Sequence, residues 1–288
     1  MEWEFHYRIA WRVRAHYPGH HRSAAGGGGF EFHSHAPLLA AADPRRLDVR
    51  ASLHDPFGQW VVRVHHQRSS VPVYVLADLS ASMGFQGARR KLDVLADLVA
   101  AAGYSAGRTG DPFGFVGCDE RVRADLLLPS TRARGAGAAL ADRLRKLPLT
   151  GSGAGGLLEA PRYLGKQRAL VLLASDFHFP LTLVRELRDR LARHDVVPIV
   201  IWDALEAAGP GDGRGLARLR DSESGAERTL ILRASVRARL AAAYARRRNE
   251  LREALQRFGR EPFFLIGRFD VDALTRYFFH GAGAGGAS

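Results

Sequence analysis

Residues 2–14 alternate apolar and polar side chains, with Trp3, Phe5, Tyr7, Ile9, Trp11 and Val13 on one face and charged residues or histidine on much of the other. A period of two predicts a half-buried β-strand. The stretch GHHRSAAGGGG then predicts a glycine-rich loop, followed by a short strand around Phe30 and Phe32 and another in GQWVVRVHHQR. Residues 1–69 are therefore expected to form a β-rich N-terminal subdomain.

From residue 70 the rhythm changes to apolar runs alternating with helical periodicity, which predicts a mainly parallel sheet flanked by helices, an α/β domain over 70–280. VPVYVLAD, FGFVGCD, RALVLLASD, VVPIVIWD and PFFLIG are its expected strands, and RVRADLLL is a hairpin partner for the second of them. Helices are expected in ARRKLDVLADLVAAAGYSAG, RARGAGAALADRLRKL, LLEAPRYLG, FPLTLVRELRDRLARH, Ser235 to Phe258 and VDALTRYFF. LARLRDSESGAERTLIL predicts a hairpin insertion near 213–232, and GAGAGGAS, residues 281–288, a flexible tail.

With 288 residues, 46% of them hydrophobic, the chain can bury one large core or two modest ones. MEWEFHYRIAWRVR interleaves charge with its aromatics, so no signal peptide is expected. The apolar runs fall well short of the roughly 20 residues that span a bilayer. With a single cysteine, Cys118, the chain is read as soluble and cytoplasmic. The net charge of +12 raises a nucleic-acid-binding alternative, but the arginines are scattered and often sit near acids, as in VRELRDRLARHD. A solvated basic face is the expectation, because no zinc-finger spacing or RNP-type aromatic motif accompanies the charge.

The candidate chemistry lies where two strands end alike. VYVLAD ends in Asp78 and RALVLLASD in Asp176, and in an open parallel sheet the ligand site lies outside the carboxyl ends of the strands. Ser80 and Ser82 follow Asp78 at alternate positions, and the loop TGSGAGG lies between the two acids. Carboxylates and hydroxyls are hard oxygen ligands suited to Mg²⁺. Asp78 is expected to face solvent at its strand end.

Three other features are weighed against this site. Gly151, Gly153 and Gly156 satisfy G-x-G-x-x-G, which makes a nucleotide-dependent enzyme using residues 151–156 the alternative. That motif needs a strand running into its first glycine, whereas GAALADRLRKLPLT is helical in pattern and carries Pro148. Nine of the twelve histidines precede residue 67, yet His20, His21, His33, His35, His65 and His66 lack the spacing of a tetrahedral zinc site, so hydrogen-bonded or surface histidines are expected. DPRRLD, starting at Asp43, is expected to form an Arg–Asp network joining the β-rich section to the α/β domain.

DLSAS, Asp78 to Ser82, resembles the D-x-S-x-S signature of von Willebrand factor A domains, whose metal-ion-dependent adhesion site (MIDAS) binds Mg²⁺ or Mn²⁺. The resemblance implies a von Willebrand factor A (Rossmann-like) fold and a site completed by a hydroxyl from a later loop, Ser152 or else Thr150, and by Asp176. The segment ADPRRLDVRASLHDP is similar to one in domain-of-unknown-function family fifty-eight, differing at Ala42 and Val49. GHHRS, FEF and LREALQRFGREPFFL extend this likeness over nearly the whole chain. Within the family the chain resembles the MoxR-associated A-domain proteins encoded with methanol-oxidation genes. That resemblance implies a non-enzymatic, Mg²⁺-dependent interaction module with a MoxR-type AAA+ ATPase as partner. An acidic residue of a protein partner would sit at the metal, and the client would be an enzyme complex such as a methanol dehydrogenase.

Overall fold

The computed structural model describes residues 4–9, 11, 18–40, 43–151, 153–203, 216–220, 227–231 and 234–280. The chain divides into two compact units, one of residues 9–71 with 109–111, the other of residues 1–8, 72–108 and 112–288.

In the smaller unit β1 (Pro18–Pro37) pairs antiparallel with β2 (Val61–Ser69) through repeated register shifts. The glycine run expected as a loop lies inside β1. A bulge adds residues to one strand only, and glycine takes up the added backbone without packing a side chain. Between the strands, Asp43 caps a 3₁₀ turn at Pro44–Arg46 and Asp48 caps α1 (Val49–Leu53). Asp48 accepts from Ala51 N–H at 3.0 Å and from Arg63 Nε at 2.7 Å, and lies 3.1 Å from His35 Nε2. These contacts all join residues of the smaller unit.

The larger unit runs through β3 (Val73–Asp78), α2 (Lys91–Arg108), β4 (Phe113–Cys118), β5 (Leu128–Thr131), α3 (Ala136–Arg145), β6 (Leu170–Ser175), α4 (Leu181–Leu191) and β7 (Asp195–Trp202). It continues through the hairpin β8 (Leu216–Arg220) and β9 (Glu227–Ile231), α5 (Ala234–Gln256), β10 (Phe263–Ile266) and α6 (Val271–His280). Six strands form one sheet in the order β10-β7-β6-β3-β4-β5, parallel except for β5.

Every residue of β3, β4, β6 and β7 is buried, as near-continuous apolar runs require when both sheet faces are covered. On one face Leu76, Val171 and Leu173 pack with Leu187 and Leu191 of α4 and Leu251 and Leu255 of α5. Helix α2 lies against β3, β4 and β7 and brings its own buried Leu92, Leu95 and Leu98. Among the described residues no helix is long and apolar enough to cross a membrane.

Three local expectations are corrected. Glu4–Ile9 carries no regular secondary structure, yet Phe5 and Tyr7 are buried and His6 and Arg8 exposed, as the alternation predicts. However, Phe5 N–H donates to Ser105 Oγ at 2.9 Å and His6 N–H to Thr275 Oγ1 at 3.1 Å. Periodicity reports which side chains go inside, while a strand also needs a neighbouring backbone, and here side-chain hydroxyls take that part. The hairpin partner of β4 starts only at Leu128, after a 3₁₀ turn at Ala124–Leu126. The helix expected in LLEAPRYLG is two 3₁₀ turns, Gly155–Leu158 and Ala160–Tyr163, since Pro161 cannot donate a helical hydrogen bond.

Candidate metal centre

From β3 the chain builds the sheet outward to β4 and β5, then returns to place β6 on the other side of β3. This reversal is a topological switch point, and the crevice beyond the carboxyl ends of its two strands is where such sheets bind ligands. Ala77 pairs with Ala174, so Asp78 and the Ser175–Asp176 pair leave the sheet side by side.

Asp78 is fully buried. Its Oδ1 accepts from Ser80 N–H at 2.9 Å and its Oδ2 from Ser175 Oγ–H at 2.6 Å. Beyond it the chain makes a 3₁₀ turn at Ala81–Gly84 that leaves Ser80 Oγ and Ser82 Oγ 3.1 Å apart. The glycine-rich loop is tied to the same turn, because Ser80 bridges Gly151 and Ala81 N–H donates to the Gly151 carbonyl at 2.8 Å. Only glycine fits there: a Cβ on Gly151 would stand 2.5 Å from Asp119 Cβ. Thr150 is exposed, and Ser152 lies outside the described residues. Helix α3 ends at Arg145 and no strand enters Gly151, so the dinucleotide-binding context is missing.

Asp176 is also fully buried. Its Oδ2 lies 2.8 Å from Lys91 Nζ, its Oδ1 accepts from His178 N–H at 3.2 Å, and its carbonyl accepts from Trp202 Nε1–H at 2.9 Å. Lys91 opens α2, is 1% exposed, and holds its ammonium 5.5 Å from the centre of the Phe85 ring. Phe177, next after Asp176, takes a left-handed backbone (φ 54°), and its N–H donates to Ser175 Oγ at 2.8 Å. Arg247 of α5 donates to the carbonyls of Phe177 and Phe179 at 2.9 and 2.7 Å, which holds this strained turn in place.

The two carboxyls differ in character. Burial, then the neighbouring charge of Asp176, pushes Asp78 up to about 6. Burial also acts to raise Asp176, but the positive charges of His178 and Lys91 outweigh it and hold that group below the ordinary carboxylate value. The expectation of a solvent-facing Asp78 is thus corrected: the turns after β3 and β6 fold back over the strand ends and enclose both acids.

Sequence reasoning missed two residues here. Ser175 bridges Asp78 to the backbone of the Asp176 turn, and its only signal was a hydroxyl beside the second acid. Lys91 is one of three lysines in a chain with 42 basic residues, and that rarity was the available clue.

The oxygen donors suit a small hard cation. Neighbouring ligands of an octahedron with bonds of about 2.1 Å lie about 3.0 Å apart, close to the spacing of the two serine hydroxyls. Among the described residues no group of three or more His, Cys, Asp or Glu is placed to hold a metal, so the carboxylates on offer are two and hydroxyls must make up the set. Of the candidate zinc-binding histidines, His21 and His35 are engaged with acids, His21 Nε2 lying 2.7 Å from Asp111 Oδ2 and His35 bonding Asp48. The side chains of His20, His33, His65 and His66 lie outside the described residues.

No curated protein matches the chain. Among solved structures it is similar to an aerotolerance-related membrane protein from Bacteroides fragilis, at 14% identity and TM-score 0.43, covering 74% of this chain and 98% of that one. BatB from Bacteroides thetaiotaomicron gives 14% identity and TM-score 0.41, covering 75% and 100%. A von Willebrand factor type A protein from Catenulispora acidiphila gives 15% identity and TM-score 0.37, covering 76% and 43%. Similarities of this size say nothing about what this chain binds. The family model described as "Protein of unknown function DUF58" matches residues 44–250, more than half of the chain, and the protein belongs to that family.

Proposed function

We propose that this chain is a non-enzymatic, divalent-ion-dependent protein-interaction module. Asp78, Ser80, Ser82 and Asp176, with Ser152 from the glycine-rich loop, would hold Mg²⁺ or Mn²⁺. When bound, the ion supplies a positive charge to which an acidic side chain of a protein partner can bind. The observation that carries this reading is the convergence at the switch point, where two carboxyls leave adjacent parallel strands beside a pair of hydroxyls 3.1 Å apart. Ser175 orients Asp78, and the Arg247 clamp orients the Asp176 turn. By the family resemblance the partner is a MoxR-type AAA+ ATPase, acting with this chain in assembly, maturation or activation of an enzyme complex, with methanol dehydrogenase as the client to test first.

The test is capture of a MoxR-type ATPase by the wild-type chain and by Asp78→Ala. The complex should be lost in EDTA, restored by Mg²⁺ or Mn²⁺, and restored poorly by Ca²⁺, whose larger shell fits a compact site badly. Asp78→Ala should fail in Mg²⁺, which separates this site from the ATPase's own need for the ion. Ser152→Ala should weaken capture more than Thr150→Ala. Capture that persists in EDTA and with Asp78→Ala would place the contact elsewhere.

A further inference from the structure

Lys91 has no place in the ion-holding set, yet among the described residues it is the most deeply buried basic side chain in an ion pair. It is 1% exposed and sits 2.8 Å from Asp176 Oδ2. A buried ammonium persists only where a carboxylate meets it, and a buried carboxylate needs a counter-charge in turn. Asp176 therefore already has a cation. The phenyl ring of Phe85 lies beside the ammonium, and Lys91 N–H donates to the Phe85 carbonyl at 3.2 Å, so the turn after DLSAS and the start of α2 form the pocket that seats it.

We propose that Lys91 is the resident cation of this site, holding Asp176 in the ion-free protein and leaving it when a divalent ion binds. The inference rests on the proposed ion site. Two carboxylates balance one divalent ion, and without the ion the Lys91 ammonium at 2.8 Å offsets the charge of Asp176. They do not balance the ion and the ammonium together in a buried site, so like-charge repulsion makes the two exclusive. A ligand shifts such an equilibrium only by its differential affinity for the two states, so part of the ion's binding energy goes into expelling Lys91. Weak binding of the free ion and a local rearrangement of the Phe85–Lys91 turn upon binding follow together. The exclusion also gives the site selectivity, since a monovalent cation offers no charge advantage over the ammonium it would displace.

Mn²⁺ alone, read by water-proton relaxation, is the probe. Lys91→Met removes the charge at similar volume and should bind Mn²⁺ at least tenfold tighter than wild type. Lys91→Gln keeps a polar contact to Asp176 and serves if the methionine variant does not fold. The unaltered chain gives an independent reading, because it has only Lys91, Lys146 and Lys166. Acetylation followed by mass spectrometry should modify the exposed Lys146 and Lys166 at once and spare Lys91, and saturating Mn²⁺ should raise the Lys91 rate at least tenfold. Equal Mn²⁺ affinity in wild type and variant, with Lys91 still protected, would overturn this inference and leave the ion site standing. No Mn²⁺ binding by wild type or either variant would overturn both.

Discussion

Ser175 Oγ donates to Asp78 Oδ2 at 2.6 Å while accepting from Phe177 N–H at 2.8 Å, so one hydroxyl fixes the carboxyl at the end of β3 and the turn that follows β6. Both strands of the switch point are thereby referenced to the same oxygen.

Ser175→Ala should leave a buried carboxyl and a buried N–H each one partner short. The expected cost is about 1–3 kcal/mol in urea unfolding. The same change should raise the Asp78 value further, because Ser175 is among the groups that lower it. Stability within about 0.5 kcal/mol of wild type, the range of neutral surface changes, would show that the bridge does not order the site.

Stability should depend on pH through two buried groups of opposite sign. Burial first, then Arg193 and Arg168, lowers His194 from 6.5 to about 4. Between those values the unfolded chain binds more protons, so this contribution is present above about pH 6.5 and is lost as pH falls toward 4. For a partly shielded group the loss is about 2–3 kcal/mol. Asp78, raised from 3.8 to about 6, acts the other way: the folded state holds the extra proton, and stability falls as pH rises through that interval. His194→Gln should abolish the acid-side loss between pH 6.5 and 4 and expose the Asp78 slope. An unchanged pH profile in that variant would contradict the assignment.

Cys118 should be inert in the folded chain. Burial, followed by the charges of Asp78, Asp119 and Glu159, pushes its thiol far above the ordinary value, and only the thiolate reacts. Reaction with Ellman's reagent should be slowed on the order of a thousandfold or more relative to the denatured chain. Fast labelling under native conditions would mean that the end of β4 opens readily.

The parallel sheet was legible because β3, β4, β6 and β7 are apolar runs of strand length between helical periodicities, and burial on both faces leaves that signature in the sequence. DLSAS and ASD were legible as oxygen-rich strand ends. Their enclosure was not, since it depends on turns folding back over the strands, and a left-handed phenylalanine at 177 has no sequence signature. Lys91 was hidden for the same reason: the first residue of a basic-looking helix, ARRK, reads as solvated until the fold places it on Asp176. The edge of Glu4–Ile9 shows the converse, with the burial pattern read correctly and the hydrogen-bond partner not.

The ion site itself is tested most directly by the thermal midpoint of wild type and Asp78→Ala with and without Mg²⁺, with Asp78→Asn as the isosteric companion. A ligand that binds only the folded state stabilises it by about 2.7 kcal/mol at one hundred times its Kd, a shift of a few degrees for a domain of this size. Wild type should show that rise and lose it in EDTA, and neither Asp78 variant should respond. An equal rise in the Asp78 variants would show that Mg²⁺ binds somewhere other than the switch point and would contradict the account.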